Sequence, residues 1–290
     1  MAVTTNAVTS SVVSELYSNI VQAALYTLSE QTVIRPLVRN YDMTGTPGLT
    51  AQVPIYPAIA AASLTDGEDI GTATAFNTTS ATITASEVGA MVLLQDLAAE
   101  SANEDVAAAI GRQLGDAMAK KVDQDLSALF TGFSNTVGSA NTELTVEDIF
   151  KAAATLRANQ APGPYVAVLH PYQAFQIKKQ LTNAGATMSH ALSDVGNMAL
   201  RDGFIGQIAG INIFESTVIG GDANDSTGTG NYYGAAMSAD ALGYMVKRSM
   251  RIEEQRDASH RATEIVGTMA YGVSEIFDAY GVALIGDAAL

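Results

Sequence analysis

The sequence contains no cysteine, no tryptophan and no apolar run of the length, about 20 residues, that a membrane-spanning helix needs. The absence of cysteine excludes disulfide bonds, thiolate metal sites and a cysteine nucleophile. The first basic residue is Arg35, so the start of the chain lacks the charged segment of a secretory signal. We therefore expect no membrane partner.

Basic residues are also scarce, because 15 Lys and Arg stand against 30 Asp and Glu, for a formal net charge of −15. Nucleic-acid readers need clustered cations to neutralise phosphates, so this composition argues against that class of protein. The charges are segregated: residues 51–100 hold six acids and no Lys or Arg, whereas residues 247–261 hold five basic residues. Such segregation is typical of a solvated face or of two halves of an intersubunit contact.

Three elongated elements are predicted from the spacing of apolar residues. Residues 12–31 have helical spacing and predict an amphipathic helix, which Pro36 ends. Residues 50–95 alternate and predict a long β-hairpin, with arms near 51–56 and 81–93 and an acidic tip near 66–71. Residues 104–130 predict a helix about 40 Å long. Its apolar stripe comprises Val106, Ile110, Leu114, Met118, Val122, Leu126 and Phe130.

The second half of the chain predicts a mixture of helices and strands. Thr145 with Asp148 predicts a capping-box helix start, and Pro171 predicts a first-turn proline that His170 caps. The run YVAVL at 165–169 predicts a buried strand, and the chain is strand-like from Tyr232 onward. The expected fold class is α+β, with segregated elements and no βαβ repeat.

Glycines punctuate the stretch GFIGQIAGINIFEST at residues 203–217 and the loop at 228–234. A dinucleotide fingerprint places its glycines between a strand and a helix, whereas both groups here lead into a strand. Turn geometry and close packing are therefore the favoured interpretation over a phosphate site. The loop at 222–233 partly resembles a calcium loop, but it lacks the central glycine and the final glutamate, so a surface turn is favoured there.

No pattern of catalytic residues is present. His170, His190 and His260 have no metal-ligand spacing, and neither a GxSxG nor an SxxK motif occurs. Glu253 and Glu254 are neighbours on a predicted strand and point to opposite faces. We therefore assign no catalytic residue, metal or cofactor, and we expect the protein not to be an enzyme.

Elements that extend beyond a compact core need a partner surface, and three in one chain indicate self-assembly. Their order resembles that of tailed-bacteriophage major capsid proteins, which have the Hong Kong 97-type fold. The resemblance rests on the acidic hairpin followed directly by the long helix, on APGPYVAVLHPYQAFQIKKQL at 161–181 and on GFIGQIAGINIFEST. It covers most of the chain.

The resemblance implies an α+β capsid fold in five parts. These are an N-terminal arm (1–50), an extended β-hairpin loop (51–95), the spine helix with the first part of the peripheral domain (96–141), the axial domain (142–235) and the C-terminal strands of the peripheral domain (236–290).

The resemblance also implies a structural protein that self-assembles into hexamers and pentamers of an icosahedral phage capsid enclosing double-stranded DNA. The expected location is the virion, after assembly in the host cytoplasm. Expected partners are further copies of the chain, a separate scaffolding protein, a portal, a cement protein, and DNA bound without sequence specificity. The candidate arm helix begins within a dozen residues of Met1, so we expect no N-terminal scaffolding segment. An encapsulin-like nanocompartment shell protein and a small-molecule α/β enzyme are the alternatives.

The assembly interface is predicted from the segregated charges. We expect the acidic hairpin tip of one subunit to contact the basic strand of another, so that charge reversal in the tip impairs assembly. The acids are Asp66, Glu68 and Asp69, and the basic residues are Lys247, Arg248, Arg251, Arg256 and Arg261.

Overall fold

The computed structural model describes residues 32–56, 59, 61, 63, 66, 77–95, 106–184, 206–222 and 230–287. Its α-helices are α1 (Val106–Ala128), α2 (Val146–Ala158) and α3 (Pro171–Ala184). Its strands are β1 (Arg39–Asp42), β2 (Thr50–Ile55), β3 (Thr79–Thr84), β4 (Ser86–Gln95), β5 (Thr136–Glu143), β6 (Tyr165–Leu169), β7 (Gln207–Ile208), β8 (Ile211–Glu215), β9 (Gly221–Asp222), β10 (Asn231–Ser238), β11 (Leu242–Asp257), β12 (Ala262–Glu275) and β13 (Gly281–Asp287). The helix predicted at 12–31 lies outside the described residues.

A four-stranded sheet with the order β1-β11-β12-β4 forms one half of the described body. β1 runs parallel to β11, and the other neighbours are antiparallel. The pairing of β4 with β12 is continuous from Ser86 opposite Tyr271 to Gln95 opposite Ala262. Val88, Ala90, Val92 and Leu94 alternate along β4 and pack against the core that α1 covers.

The long helix α1 confirms the predicted apolar stripe. From Ile110 to Phe130, each stripe residue with a described side chain is at most 9% exposed. A 3-10 turn, Leu129–Gly132, ends the helix where the sequence predicted its end. The stripe packs against the four-stranded sheet and against one face of the second sheet, so α1 joins the two halves of the body.

The predicted hairpin is present, but its second arm is shorter than expected. β2 pairs with β3 from Thr50 opposite Thr84 to Ile55 opposite Thr79. The predicted arm at 81–93 breaks at Ala85, which is buried and donates its N–H to the carbonyl oxygen of Leu49 at 2.8 Å. β4 then leaves the hairpin and joins β12, because its apolar side chains pack on the α1 core instead.

A seven-stranded sheet forms the other half, with the order β5-β13-β10-β6-β8-β7 and with β9 beside β10. Its faces are both covered: Ala167, Leu169 and Ala236 pack under α2 and α3, while Val166 and Val168 face the α1 core. β6 and β8 pair in parallel, and α3 lies between them in the sequence. This strand–helix–strand unit is a parallel crossover, whereas the sequence predicted that helices and strands are segregated.

The local signals at helix starts and turns are confirmed. Thr145 and Asp148 form a reciprocal capping box, and the Nδ1 atom of His170 accepts the N–H of Tyr172 at 3.3 Å. In the turn between β7 and β8, Ala209 and Gly210 have φ of 55° and 85°. Positive φ at both central residues is the geometry of a two-residue hairpin turn, so the glycine here serves a turn.

Candidate assembly surfaces

The hairpin of β2 and β3 has a buried base and exposed apolar side chains farther out. Its base forms a small core with Ile83, Ala85, Met245 and Ile276. Beyond that core, Tyr56 is 62% exposed and Ile59 is 66% exposed. Neither strand carries a charged residue. Large apolar side chains exposed together on an extended element mark a contact surface rather than a solvated face.

The acidic residues predicted at the hairpin tip are only partly described. Asp66 is exposed to solvent. Glu68 and Asp69 lie outside the described residues. The structure therefore places one carboxylate of the three and leaves the predicted pairing with β11 an expectation.

Three of the predicted basic residues lie away from the turn at the end of β11 and contact other residues of the chain. Lys247 donates to the carbonyl oxygens of Met43 and Thr46, and Arg248 pairs with Glu87 on β4. Arg251 pairs with Glu253 on the same strand at 2.6 Å. The carboxylates of Glu87 and Glu253 neutralise the charges of Arg248 and Arg251, which a count of Lys and Arg does not reveal.

The other two predicted basic residues flank the turn between β11 and β12, and both are exposed. Arg256 lies near the start of the turn, where its Nη1 atom is 3.5 Å from Oγ1 of Thr263. Arg261 closes the turn with φ of 50°. The turn is the far end of the longest hairpin in the described part of the chain, so it is the part of β11 best placed to reach another molecule.

Asp257, Ser259 and His260 lie together in this turn and have the residue types of a hydrolase triad. Nδ1 of His260 is 2.6 Å from Oδ2 of Asp257 and 3.2 Å from Oγ of Ser259. A catalytic triad needs one ring nitrogen for the serine and the other for the carboxylate, whereas here one nitrogen faces both. Hydrogen bonds from Ser259 and His260 lower the pKa of Asp257, as expected for a turn-closing carboxylate.

Two of the open depressions on the described surface do not gather catalytic groups. One of about 580 Å³ is lined by Arg35 and Asp42, and hydrogen bonds from Thr44 lower the pKa of that carboxyl group, the opposite of what a general base needs. Another of about 630 Å³ has Tyr233 as its single titratable lining residue among those described. Within the described ranges, no cluster of three or more His, Asp or Glu has the arrangement of a metal site.

Further apolar side chains are exposed on both sheets. Met91 and Leu93 project from the outer face of β4, with 62% and 43% of their surface exposed. Phe150 on α2 and Phe175 on α3 are similarly exposed. The sequence pattern does not identify these residues, because alternation shows that β4 has two faces but not which apolar face stays uncovered.

Asp123 is a structural residue that the sequence analysis missed. It lies on α1 beside the apolar stripe, is 1% exposed and accepts backbone N–H groups from residues 33–35. The signal available in the sequence was an acid next to Val122 on the buried side of a helix, where a charge needs a partner. Among the described residues, no helix combines the length and the apolar character needed to cross a membrane.

Comparisons with known proteins agree on one class. A model of the family described as "Phage capsid protein" matches residues 79–285. The capsid structure of the cyanophage P-SCSP1u is 18% identical, with a TM-score of 0.67 and 87% of each chain covered. A structure of Mycobacterium phage Che8 is 20% identical, with a TM-score of 0.68, covering 87% of this chain and 90% of that one.

The virus-like particle from Pyrococcus furiosus also has a similar fold. It is 11% identical, with a TM-score of 0.60, covering 93% of this chain and 99% of that one. No match was found among curated protein sequences. At these identities, the likeness to solved structures establishes the fold.

Proposed function

Because the chain belongs to the phage capsid protein family, we propose that its copies form the hexamers and pentamers of an icosahedral capsid that encloses double-stranded DNA. The family is one of structural proteins, and the fold is that of tailed-phage capsids. The observation that carries the proposal is the family match over residues 79–285, which includes three of the four strands of one sheet, nearly all of the seven-stranded sheet and all three described helices.

The five parts predicted from the sequence are proposed as the working anatomy of the subunit. In this division, residues 1–50 are the arm and the hairpin of β2 and β3 lies over an adjacent subunit. The spine helix is α1, and residues 142–235, which contain α2, α3 and several strands of the seven-stranded sheet, are the axial domain. The uncharged strands and the exposed apolar side chains of the hairpin support this division, because they suit burial against a second copy.

The assembly interface is proposed to join the acidic hairpin tip of one subunit to the β11–β12 turn of another. Asp66 is exposed at the tip, and Arg256 and Arg261 are exposed at the turn. Lys247, Arg248 and Arg251 belong to the same predicted surface and lie farther from the turn along β11. Opposite charges on two surfaces of one chain allow a head-to-tail contact, which can close into rings.

A charge exchange tests this interface. We expect the combined change Asp66→Lys, Glu68→Lys and Asp69→Lys to reduce the yield of particles, because like charges then meet at the contact. Adding Arg256→Glu and Arg261→Glu to the same chain restores the opposite charges and is expected to recover particles. Sedimentation through a sucrose gradient measures the particle yield of both variants. Normal particle yield from the triple variant would refute the contact.

Self-assembly is tested by size-exclusion chromatography with light scattering, followed by negative-stain microscopy, with and without a candidate scaffolding protein. Capsomer rings or closed shells are expected. A stable monomer or dimer under both conditions would contradict the proposal and favour the small-molecule α/β enzyme.

The likeness to the Pyrococcus furiosus particle favours one second candidate, a nanocompartment shell of the encapsulin type. The enclosed material separates the two functions. Particles from infected cells are expected to contain nuclease-protected double-stranded DNA if the chain is a capsid protein. A protein cargo without protected DNA would favour the compartment instead.

The remaining partners are proposed from the same class of particle. A separate scaffolding protein, a portal and a cement protein are expected to join the shell, which assembles in the host cytoplasm and remains in the virion. The net charge of −15 supports a container whose wall does not hold the packaged DNA tightly.

A further inference from the structure

The carboxylate of Asp123 holds a segment that is about 90 residues away in sequence. Its Oδ2 atom accepts the N–H of Val33 at 2.7 Å, and both of its oxygens lie 3.3 Å from the N–H of Ile34. Oδ1 also accepts the N–H of Arg35 at 3.4 Å. We call Asp123 with these three amides the Asp123 clamp.

The clamp satisfies the amides at the start of the 3-10 helix Arg35–Leu37. The first N–H groups of any helix lack partners within the helix, and this one receives no side-chain hydrogen bond from its own N-cap residue, Ile34. Asp123 therefore supplies from α1 the acceptor that a local Ser or Asp supplies in most helix starts. Removing the carboxylate would leave these donors without their acceptor next to the protein core.

The residues around the clamp are packed tightly against the body. Ile34 and Val38 are 0% and 4% exposed and belong to the same core as the α1 stripe. The guanidinium of Arg35 lies 4.9 Å from the ring centroid of Tyr244 on β11. Burial of Asp123 raises its pKa, and the three backbone hydrogen bonds and the charge of Arg35 oppose that shift. The carboxylate is thus held chiefly by the backbone of residues 33–35.

We propose that Asp123 is a positioning residue for assembly, which fixes the point where the N-terminal arm joins the subunit body. Residues 1–31, the part of the proposed arm that precedes the clamp, join the body at residues 32–35, so the clamp sets the point beside α1 where this part of the arm begins. The inference rests on the proposed function, since a fixed origin matters when the arm has to meet another subunit in a closed shell.

One substitution tests the clamp against a matched control. Asp123→Asn replaces one carboxylate oxygen by an NH₂ group of similar size. This group is a donor, so it cannot accept a hydrogen bond from the N–H groups of residues 33–35. Asp125→Asn is the control: it lies on the same helix, accepts the hydroxyl of Tyr271 at 2.6 Å and pairs with Lys121, but makes no hydrogen bond to residues 33–35. We expect Asp123→Asn to raise hydrogen exchange at residues 33–35 by about tenfold, without a matching rise in α1, and to lower the yield of closed shells.

A second variant leaves α1 untouched. Val33→Pro removes the N–H that makes the shortest bond of the clamp, so it is expected to lower shell yield in the same way. If Asp123→Asn fails to fold, this variant decides the question alone. Wild-type shell yield from either folded variant would overturn the inference while leaving the proposed function intact. If the wild-type chain forms neither rings nor shells, the proposed function fails and the positioning role fails with it.

Discussion

His170 caps helix α3 with a ring nitrogen, so its protonation state affects the local structure. Nδ1 accepts the N–H of Tyr172, which requires the unprotonated nitrogen, and the ring stacks on Tyr232 with centroids 3.9 Å apart. Burial lowers the pKa of His170 from its ordinary value of 6.5. The start of a helix also disfavours a cation, so protonation opposes both the cap and the helix dipole.

The first prediction is that the unassembled chain loses stability in acid partly through His170. The unfolded chain takes up this proton near pH 6.5 and the folded chain does so only at a lower pH. The free energy of unfolding contributed by this group is therefore complete above pH 6.5 and falls as the pH drops towards the folded pKa. Thermal unfolding at pH 7.5 and 5.0 measures the loss.

The control is His170→Asn, because asparagine is a good helix cap and does not titrate in this range. The variant is expected to lose less stability than the wild type between the two pH values. Equal losses in both proteins would show that His170 does not contribute.

A second prediction concerns Gly272 on β12, which lies under the hairpin base. A Cβ atom there would stand 2.5 Å from the carbonyl oxygen of Thr84 and 2.8 Å from its carbon. Backbone cannot yield as a flexible side chain does, so Gly272→Ala is expected to cost about 1–3 kcal/mol of unfolding free energy. Urea denaturation measures this, with Gly220→Ala as the control, since a Cβ at Gly220 has no atom within 4 Å. Equal midpoints in the two variants would contradict the predicted clash.

The sequence predicted the hydrogen bonds of individual residues well when their partners were close along the chain. The capping box of Thr145 and Asp148 and the cap of His170 involve atoms two or three residues apart, so their pattern is visible in the sequence. Asp123 was missed because its partners at 33–35 lie about 90 residues away. Glu87, the partner of Arg248, is 161 residues away along the chain, which is why β11 looked more basic than it is.

At the scale of elements, the same distinction explains which parts of the fold could be predicted. The α1 stripe follows from a local period, and its described side chains are buried as expected. The break between β3 and β4 at Ala85 could not be predicted, because apolar and polar residues alternate in the same way before and after it. Whether β4 continues the hairpin or joins β12 depends on a strand more than 160 residues later in the chain.

A third prediction concerns the hairpin as an assembly element. The double change Tyr56→Ser and Ile59→Ser removes two large side chains that are mostly exposed in the unassembled chain. Each side chain is worth about 1.5–3 kcal/mol when buried against a second copy, so shell yield is expected to fall at least about tenfold.

The control for the hairpin is Thr82→Ser, on its exposed polar face. Light scattering at a fixed protein concentration compares the three proteins. Shells from the double variant at the wild-type yield would show that these side chains do not lie in an interface.

At the scale of the whole molecule, the chain combines a body with two mixed sheets and a long hairpin whose outer part exposes apolar side chains. The body agrees with the phage capsid family and with the fold of several phage structures. Large apolar residues are exposed on the hairpin, on β4 and on α2 and α3. They fit a molecule whose surfaces are completed by its own copies.

The most direct test of the account is cryo-electron microscopy of particles formed by the purified chain, with a scaffolding protein supplied if needed. We expect closed shells with icosahedral symmetry, in which the hairpin of each subunit lies over a neighbour and its tip approaches the β11–β12 turn. Particles that are absent at every protein concentration tested, or that lack five-fold and six-fold clusters of subunits, would contradict the capsid function.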